Sequence, residues 1–217
     1  WYAHQPLSLG KPEIDFAVPR GANMRQAAAA IEAAGVPVDA GLLYWIARAG
    51  ERADRIVAGS YVAEDGITPW GLVLKLANGE VSRASLLAVE GWTFRQLRAA
   101  IESHPYLLQD TVGLDDAALL ARIGATETHP EGLFFPDTYI FDRHSSALEI
   151  FRAAYQAMQR RLDAAWAQRD PATPLKSPYE ALILASIIEK ETGQANERAL
   201  VASVFTNRLR IGMRLQT

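Results

Sequence analysis

From residue 13 to about 105 the chain alternates short period-two apolar runs with period-3.6 runs, each bounded by a cap, a proline or a glycine. That rhythm points to a small sheet covered by helices, because no single amphipathic piece can bury its apolar side alone. Ile14, Phe16 and Val18 alternate up to Pro19 and predict a strand with one buried face. Gly21 and Asn23 open a helix in which Met24, Ala27, Ala28 and Ile31 recur at helical spacing until Gly35. Asp39 caps a second helix with Leu42, Leu43 and Ile46, which stops at Gly50. Val57, Gly59, Tyr61 and Ala63 give a second strand. Thr68 and Pro69 supply an N-cap and an N1 proline for a helix carrying Leu72, Val73 and Leu76. A third strand is expected over 84–89, before Thr93 caps a helix with Phe94, Leu97 and Ile101 on one side.

His104 and Pro105 break the chain, and the second half is mainly helical in pattern. A short helix is expected over 115–123, and the longest over 146–169, striped by Leu148, Phe151, Ala154, Tyr155, Met158, Leu162 and Trp166. Ser177 and Pro178 start a last apolar helix after a loop with three prolines. The fold class is therefore α+β. Within this second half, between the short helix and the longest one, lies EGLFFPDTYIFDRHSS, which crowds aromatic rings and acids around Pro136. One reading is a strand and turn that tuck the rings into the core. The other is a sugar-contacting loop, in which ring faces cover the C–H side of a pyranose while carboxylates accept its hydroxyls.

Composition narrows the chemistry. At 49% hydrophobic and 22% charged the chain is an ordinary globular protein, and a net charge of −3 leaves no basic footprint for nucleic acid. The absence of cysteine excludes disulfides and thiolate chemistry, and fits an oxidising compartment such as the periplasm. Histidines at 4, 104, 129 and 144 lack ligand spacing, so no metal is expected. No phosphate loop, dinucleotide fingerprint or GxSxG elbow is present, and no cofactor is expected. No apolar run reaches 18 residues, so no segment is read as membrane-spanning. The start at Trp1 and Tyr2 is what the interfacial end of a removed membrane anchor would leave.

Acid chemistry remains, and the last helix carries two candidates, Glu189 and Glu191. Each helical residue turns about 100°, so these side chains point about 200° apart and cannot share one cleft. With Ile188 as reference, Ala181 and Leu184 lie within about 40°, Glu191 about 60° away on the Leu184 side, and Glu189 about 100° away on the other. Glu191 is thus closer to the apolar stripe. A carboxyl in apolar surroundings titrates higher, as a general acid requires.

The run ASIIEKET (185–192), followed by ER, VASVFTNRL and GMRLQT, with EGLFFPDTY upstream, closely resembles the endolytic murein transglycosylase family, also called YceG-like or MltG-type. AGSYVAEDG and VEGWTFRQL fall in the family's order as well. The resemblance implies a bacterial inner-membrane protein with one N-terminal anchor and a periplasmic body. Residues 1–12 would be a lead-in after that anchor, 13–105 a LysM-like peptidoglycan-binding region, and 106–217 the N-terminal part of the catalytic domain. It implies cleavage of MurNAc-β-1,4-GlcNAc bonds in nascent glycan strands, leaving 1,6-anhydroMurNAc ends, with cell-wall synthases as further partners. The family's acid, the second glutamate of EKET, falls on Glu191. Asn207, Gln216 and Tyr139 match motif positions that could hydrogen-bond sugar, and Glu131 and Asp137 are assigned to substrate binding or loop support.

Two rival functions stay open on the sequence: a muramidase that uses water, and a non-catalytic peptidoglycan-binding or scaffold protein of wall synthesis. For Asn207 the rival role is helix-end chemistry, with Arg208, Arg210 and Arg214 favouring a helix C-terminus closed by Gly212. The family continues past LQT with Asp-Pro and a further stretch, whereas this sequence stops at Thr217. The expectation is a truncated catalytic domain with little activity on glycan strands.

Overall fold

The computed structural model describes residues 1–215. Among them, eight α-helices and six short strands form an α+β protein of two compact units. Unit 1 is Trp1–Ser85 with Ile140–Ser145, and unit 2 is Leu86–Tyr139 with Ser146 onward. The chain passes from unit 1 to unit 2 at 85/86, and the segment 140–145 belongs to unit 1.

Unit 1 has the expected order. β1 (Glu13–Val18) leads to α1 (Met24–Ala33), α2 (Ala40–Ala49), β2 (Gly59–Glu64) and α3 (Pro69–Asn78). β1 and β2 pair antiparallel, from Glu13 opposite Glu64 to Val18 opposite Gly59. This register sets Phe16 against Tyr61, whose rings stack at 5.5 Å; β1 buries Phe16 and Val18 on one side, as alternation demands, whereas β2 is buried on both sides, Ser60 and Val62 as well as Tyr61 and Ala63. Helix starts are fixed by local bonds: Asn23 and Gln26 form a capping box, Asp39 accepts the Leu42 N–H, and Thr68 accepts the Gly71 N–H ahead of Pro69. The helices bury Met24, Ala27, Ala28, Ile31, Leu43, Ala47, Leu72, Val73 and Leu76 against the strands in one continuous core. Gly59 is required at its position: φ is +154°, and a Cβ there would stand 2.5 Å from a Val81 methyl.

β3 (Arg83–Leu87) and β5 (Thr138–Asp142) pair in a second two-stranded sheet. β4 (Leu107–Leu108) and β6 (Ser145–Ser146) form a third, too short to leave a pattern in the sequence. In unit 2, α4 (Phe94–Glu102) begins with a Thr93–Gln96 capping box. Arg98 pairs with Glu102 within α4 and ties that helix to α5 (Asp116–Ile123) through Asp116 and to the segment before α5 through the Leu114 carbonyl. The longest helix, α6 (Ala147–Ala167), buries Ala147, Ile150, Phe151 and Ala154, but Met158, Leu162 and Trp166 along its later turns are only half-buried. The apolar stripe is as the spacing predicts. Its partners end before the helix does. Beyond it come α7 (Pro178–Glu191) and α8 (Arg198–Arg210), burying one residue each, Leu184 and Phe205. Among the described residues no helix is long and apolar enough to cross a membrane.

Candidate active site

EGLFFPDTY is stitched into unit 2 at nearly every position. Leu133 is buried, and Phe134 stacks on Phe94 at 5.3 Å and meets Phe151 edge-on at 5.7 Å. The Phe135 N–H donates to the Ala154 carbonyl of α6, and the Tyr139 hydroxyl folds back to donate to the Phe135 carbonyl. Asp137 accepts from the Thr138 N–H at 2.7 Å, while its carbonyl accepts from Ala88 N–H. Burial pushes the Tyr139 hydroxyl up to about 12, with Asp137 adding to the shift and Arg160 opposing it. Both Glu131 oxygens accept from the Phe94 N–H, at 3.1 and 3.3 Å. A carboxylate at a helix start is favoured there, so Glu131 binds its loop to the first turn of α4.

This arrangement forms one wall of a cleft of ≈ 710 Å³ in unit 2. The floor and second wall come from the 88–94 turn and Leu97, with Met158 of α6 and Arg198 of α8. α7 supplies the third, through Tyr179, Leu182, Ile183, Ala185, Ser186, Glu189 and Lys190. Ser177 accepts the Glu180 N–H and Pro178 occupies N1, which sets where this helix starts and hence which face it turns to the cleft. That face is centred about 140° round the helix from Ile188, so Glu189 stands on it and Glu191 points about 160° away from its centre. Leu184, near the Ile188 side, is buried. The apolar stripe therefore packs inward, and the cleft runs along the opposite face.

Glu189 lies 3.4 Å from the Arg198 guanidinium, and the Lys190 ammonium reaches the Gly91 carbonyl at 3.5 Å. Glu191 is the last residue of α7 and is exposed, not in the apolar surroundings that its angle to the Leu184 stripe predicts, and it has no side-chain hydrogen bond or ion pair among the described residues. Its neighbour Thr192 is buried and extended, donates to Glu197 at 2.8 Å and accepts the Gln194 N–H at 3.1 Å. This clamp fixes the turn into α8.

Of the residues singled out by sequence, Glu131 lines the cleft, whereas Asp137, Tyr139, Glu191 and Asn207 are not among its lining residues. Asn207 sits on α8, where its side-chain oxygen accepts from Arg210, the helix-end arrangement. Gln216 lies outside the described residues. Trp92, Tyr179, Lys190 and Arg198 line the cleft without having been singled out. A signal existed for Trp92, a large ring between a turn glycine and a helix cap. Among the described residues no cluster of three His, Asp or Glu could hold a metal.

The YceG-like family matches residues 16–217. The chain is similar to the endolytic murein transglycosylase of Streptococcus pneumoniae, 24% identical over 239 residues that cover 95% of this chain and 42% of that protein. The Bacillus subtilis protein of the same name is 29% identical over 178 residues, covering 74% of this chain and 49% of the relative. The chain thus spans less than half the length of these curated relatives. A solved structure of a yceG-like protein from Listeria monocytogenes aligns at a TM-score of 0.47 and 26% identity, over 95% of this chain and 73% of that one.

Proposed function

The chain belongs to the YceG-like family, and on that premise we propose that it serves endolytic cleavage of peptidoglycan strands, with Glu191 as the single acid and base. One observation carries the assignment. Glu191 is an exposed carboxyl with no partner among the described residues, on backbone that α7 holds on one side and the Thr192 clamp on the other.

In this reaction the Glu191 carboxyl gives its proton to the oxygen of the departing GlcNAc as the MurNAc–GlcNAc bond breaks, and positive charge builds on the MurNAc anomeric carbon. The resulting carboxylate takes the proton of the C6 hydroxyl on the same MurNAc, whose oxygen closes on the anomeric carbon. The acid is restored and the product is a 1,6-anhydro ring. An internal hydroxyl replaces the water of a muramidase. The strand-helix-helix-strand module of unit 1 is read as the LysM-like peptidoglycan-binding part, in a protein held at the bacterial inner membrane with its body in the periplasm beside wall synthases.

A second reading has its own observation: Glu189, not Glu191, lines the cleft. Glu189 already has an ion-pair partner, which makes Glu191 the freer group for proton transfer. Glu191→Gln and Glu189→Gln in the full-length gene product separate the two. The expected result, by mass spectrometry of released glycans, is loss of anhydro ends by about 10²-fold or more for Glu191→Gln alone. Loss in Glu189→Gln with Glu191→Gln unaffected transfers the role. Products heavier by one water establish a muramidase instead.

A further inference from the structure

We infer that the cleft holds a sugar subsite separate from the acid, in which Trp92 offers a ring face to a pyranose and the Glu189–Arg198 pair hydrogen-bonds the same sugar. The inference rests on the glycan reading above, and adds where the strand is gripped.

Trp92 is held firmly by its backbone, and its side chain lines the cleft. Gly91 takes a positive φ of +76° to make the turn, the Trp92 N–H donates to the Val89 carbonyl, and Thr93 caps α4. Lys190 reaches the Gly91 carbonyl and so ties the last turn of α7 to the segment carrying the indole. Trp166 and Tyr44 each carry an arginine over the ring, at 4.2 and 4.1 Å. Trp92 has no ring or cation partner among the described residues, and its half-buried side chain lines the cleft. An aromatic ring lining a concave site suits the C–H side of a sugar.

The polar side is complementary. Glu189 and Arg198 are about half-exposed, at 46% and 49%, and meet at 3.4 Å through one guanidinium nitrogen. A guanidinium has five N–H donors and a carboxylate about four acceptor sites, so most of both remain for a ligand. Together they offer donors and acceptors with no net charge, which fits hydroxyl and acetamido groups rather than an ion. The volume of ≈ 710 Å³ lies in the ordinary range for ligand sites, about 300–1,000 Å³. Because this face of α7 is turned about 160° from Glu191, the subsite grips the strand away from the bond that breaks. Its loss therefore weakens binding and leaves the proton chemistry in place.

The test titrates GlcNAc–MurNAc oligosaccharides into the 217-residue chain carrying Glu191→Gln, with tryptophan fluorescence and calorimetric Kd as readouts and thermal melts as a folding control. Trp92→Ala is expected to weaken binding by about tenfold and to abolish the fluorescence change, while Trp92→Phe retains most of the affinity. Arg198→Ala, at a half-exposed position, provides a second variant if Trp92→Ala does not fold, and is expected to weaken binding severalfold. Unchanged Kd in folded Trp92→Ala, or in Arg198→Ala where Trp92→Ala is unfolded, overturns the subsite. So does a parent chain that binds no glycan while the full-length gene product still yields anhydro ends, and in both cases the functional reading stands. A full-length product that neither binds nor cleaves glycan overturns both.

Discussion

Two consecutive helix pairs, α1–α2 and α7–α8, meet opposite fates. The first buries six residues, Met24, Ala27, Ala28, Ile31, Leu43 and Ala47, and with β1, β2 and α3 closes a core of its own. The second buries Leu184 and Phe205 alone and leaves Tyr179, Ile183, Leu200 and Val204 open to solvent. Both pairs have helix-forming sequences. The difference lies in what meets the apolar face, and on α7 the open face has become a cleft wall.

The contrast is largest in the core. Leu43→Ala is expected to cost about 2–5 kcal/mol in urea unfolding, because a fully buried side chain leaves a cavity. Ile183→Ala, at 44% exposure, is expected to cost under about 0.5 kcal/mol. Equal losses would mean that α7 is packed as tightly as α2. Amide exchange sharpens the same contrast: the amides of α7 and α8 should exchange before those of α1 and α2, and the reverse order would refute it.

Helix caps carry the next largest difference. Thr68→Ala, which removes the bond to the Gly71 N–H at the start of a helix locked into the core, is expected to cost about 1 kcal/mol. Ser177→Ala, at the start of α7, should cost less in global unfolding and show instead as faster exchange of the first turn of α7. A larger global loss for Ser177→Ala would place α7 in the cooperative core.

The smallest effect is alkaline. Tyr139 keeps its proton up to about 12 in the folded chain, whereas an unfolded tyrosine releases it near 10. The unfolded state therefore binds fewer protons in that window. Stability from this group is intact below about pH 10 and lost as pH rises through about 12. Tyr139→Phe should flatten part of the fall in urea midpoint across that window. Identical pH profiles would show that Tyr139 titrates as a solvated phenol.

The features legible in the sequence are local ones. The caps Asn23, Asp39, Thr68, Thr93 and Ser177 each bond within three residues of themselves, so the sequence displays both partners. The stripe on α6 is visible too, but periodicity reports that a face is apolar and not how far its partners extend. Glu131 looks like a sugar ligand until the Phe94 N–H, 37 residues away, is seen to meet it. On α7 the helical angle places the two glutamates on different faces. It cannot show that the cleft lies along the face away from the apolar stripe, since that depends on the 88–94 turn and on Arg198, neither of them a local neighbour.

The clamp at Thr192 has a thermodynamic side. It immobilises the backbone beneath Glu191 but leaves that side chain, with three rotatable bonds and no partner among the described residues, to sample its rotamers. Ordering such a side chain costs about 1.5–2 kcal/mol. In the proposed reaction that cost falls at the moment of engagement, so long strands with many contacts can meet it while short fragments cannot. A preference for polymer over small saccharides can thus arise from the mobility of one carboxyl, without any contact that measures length.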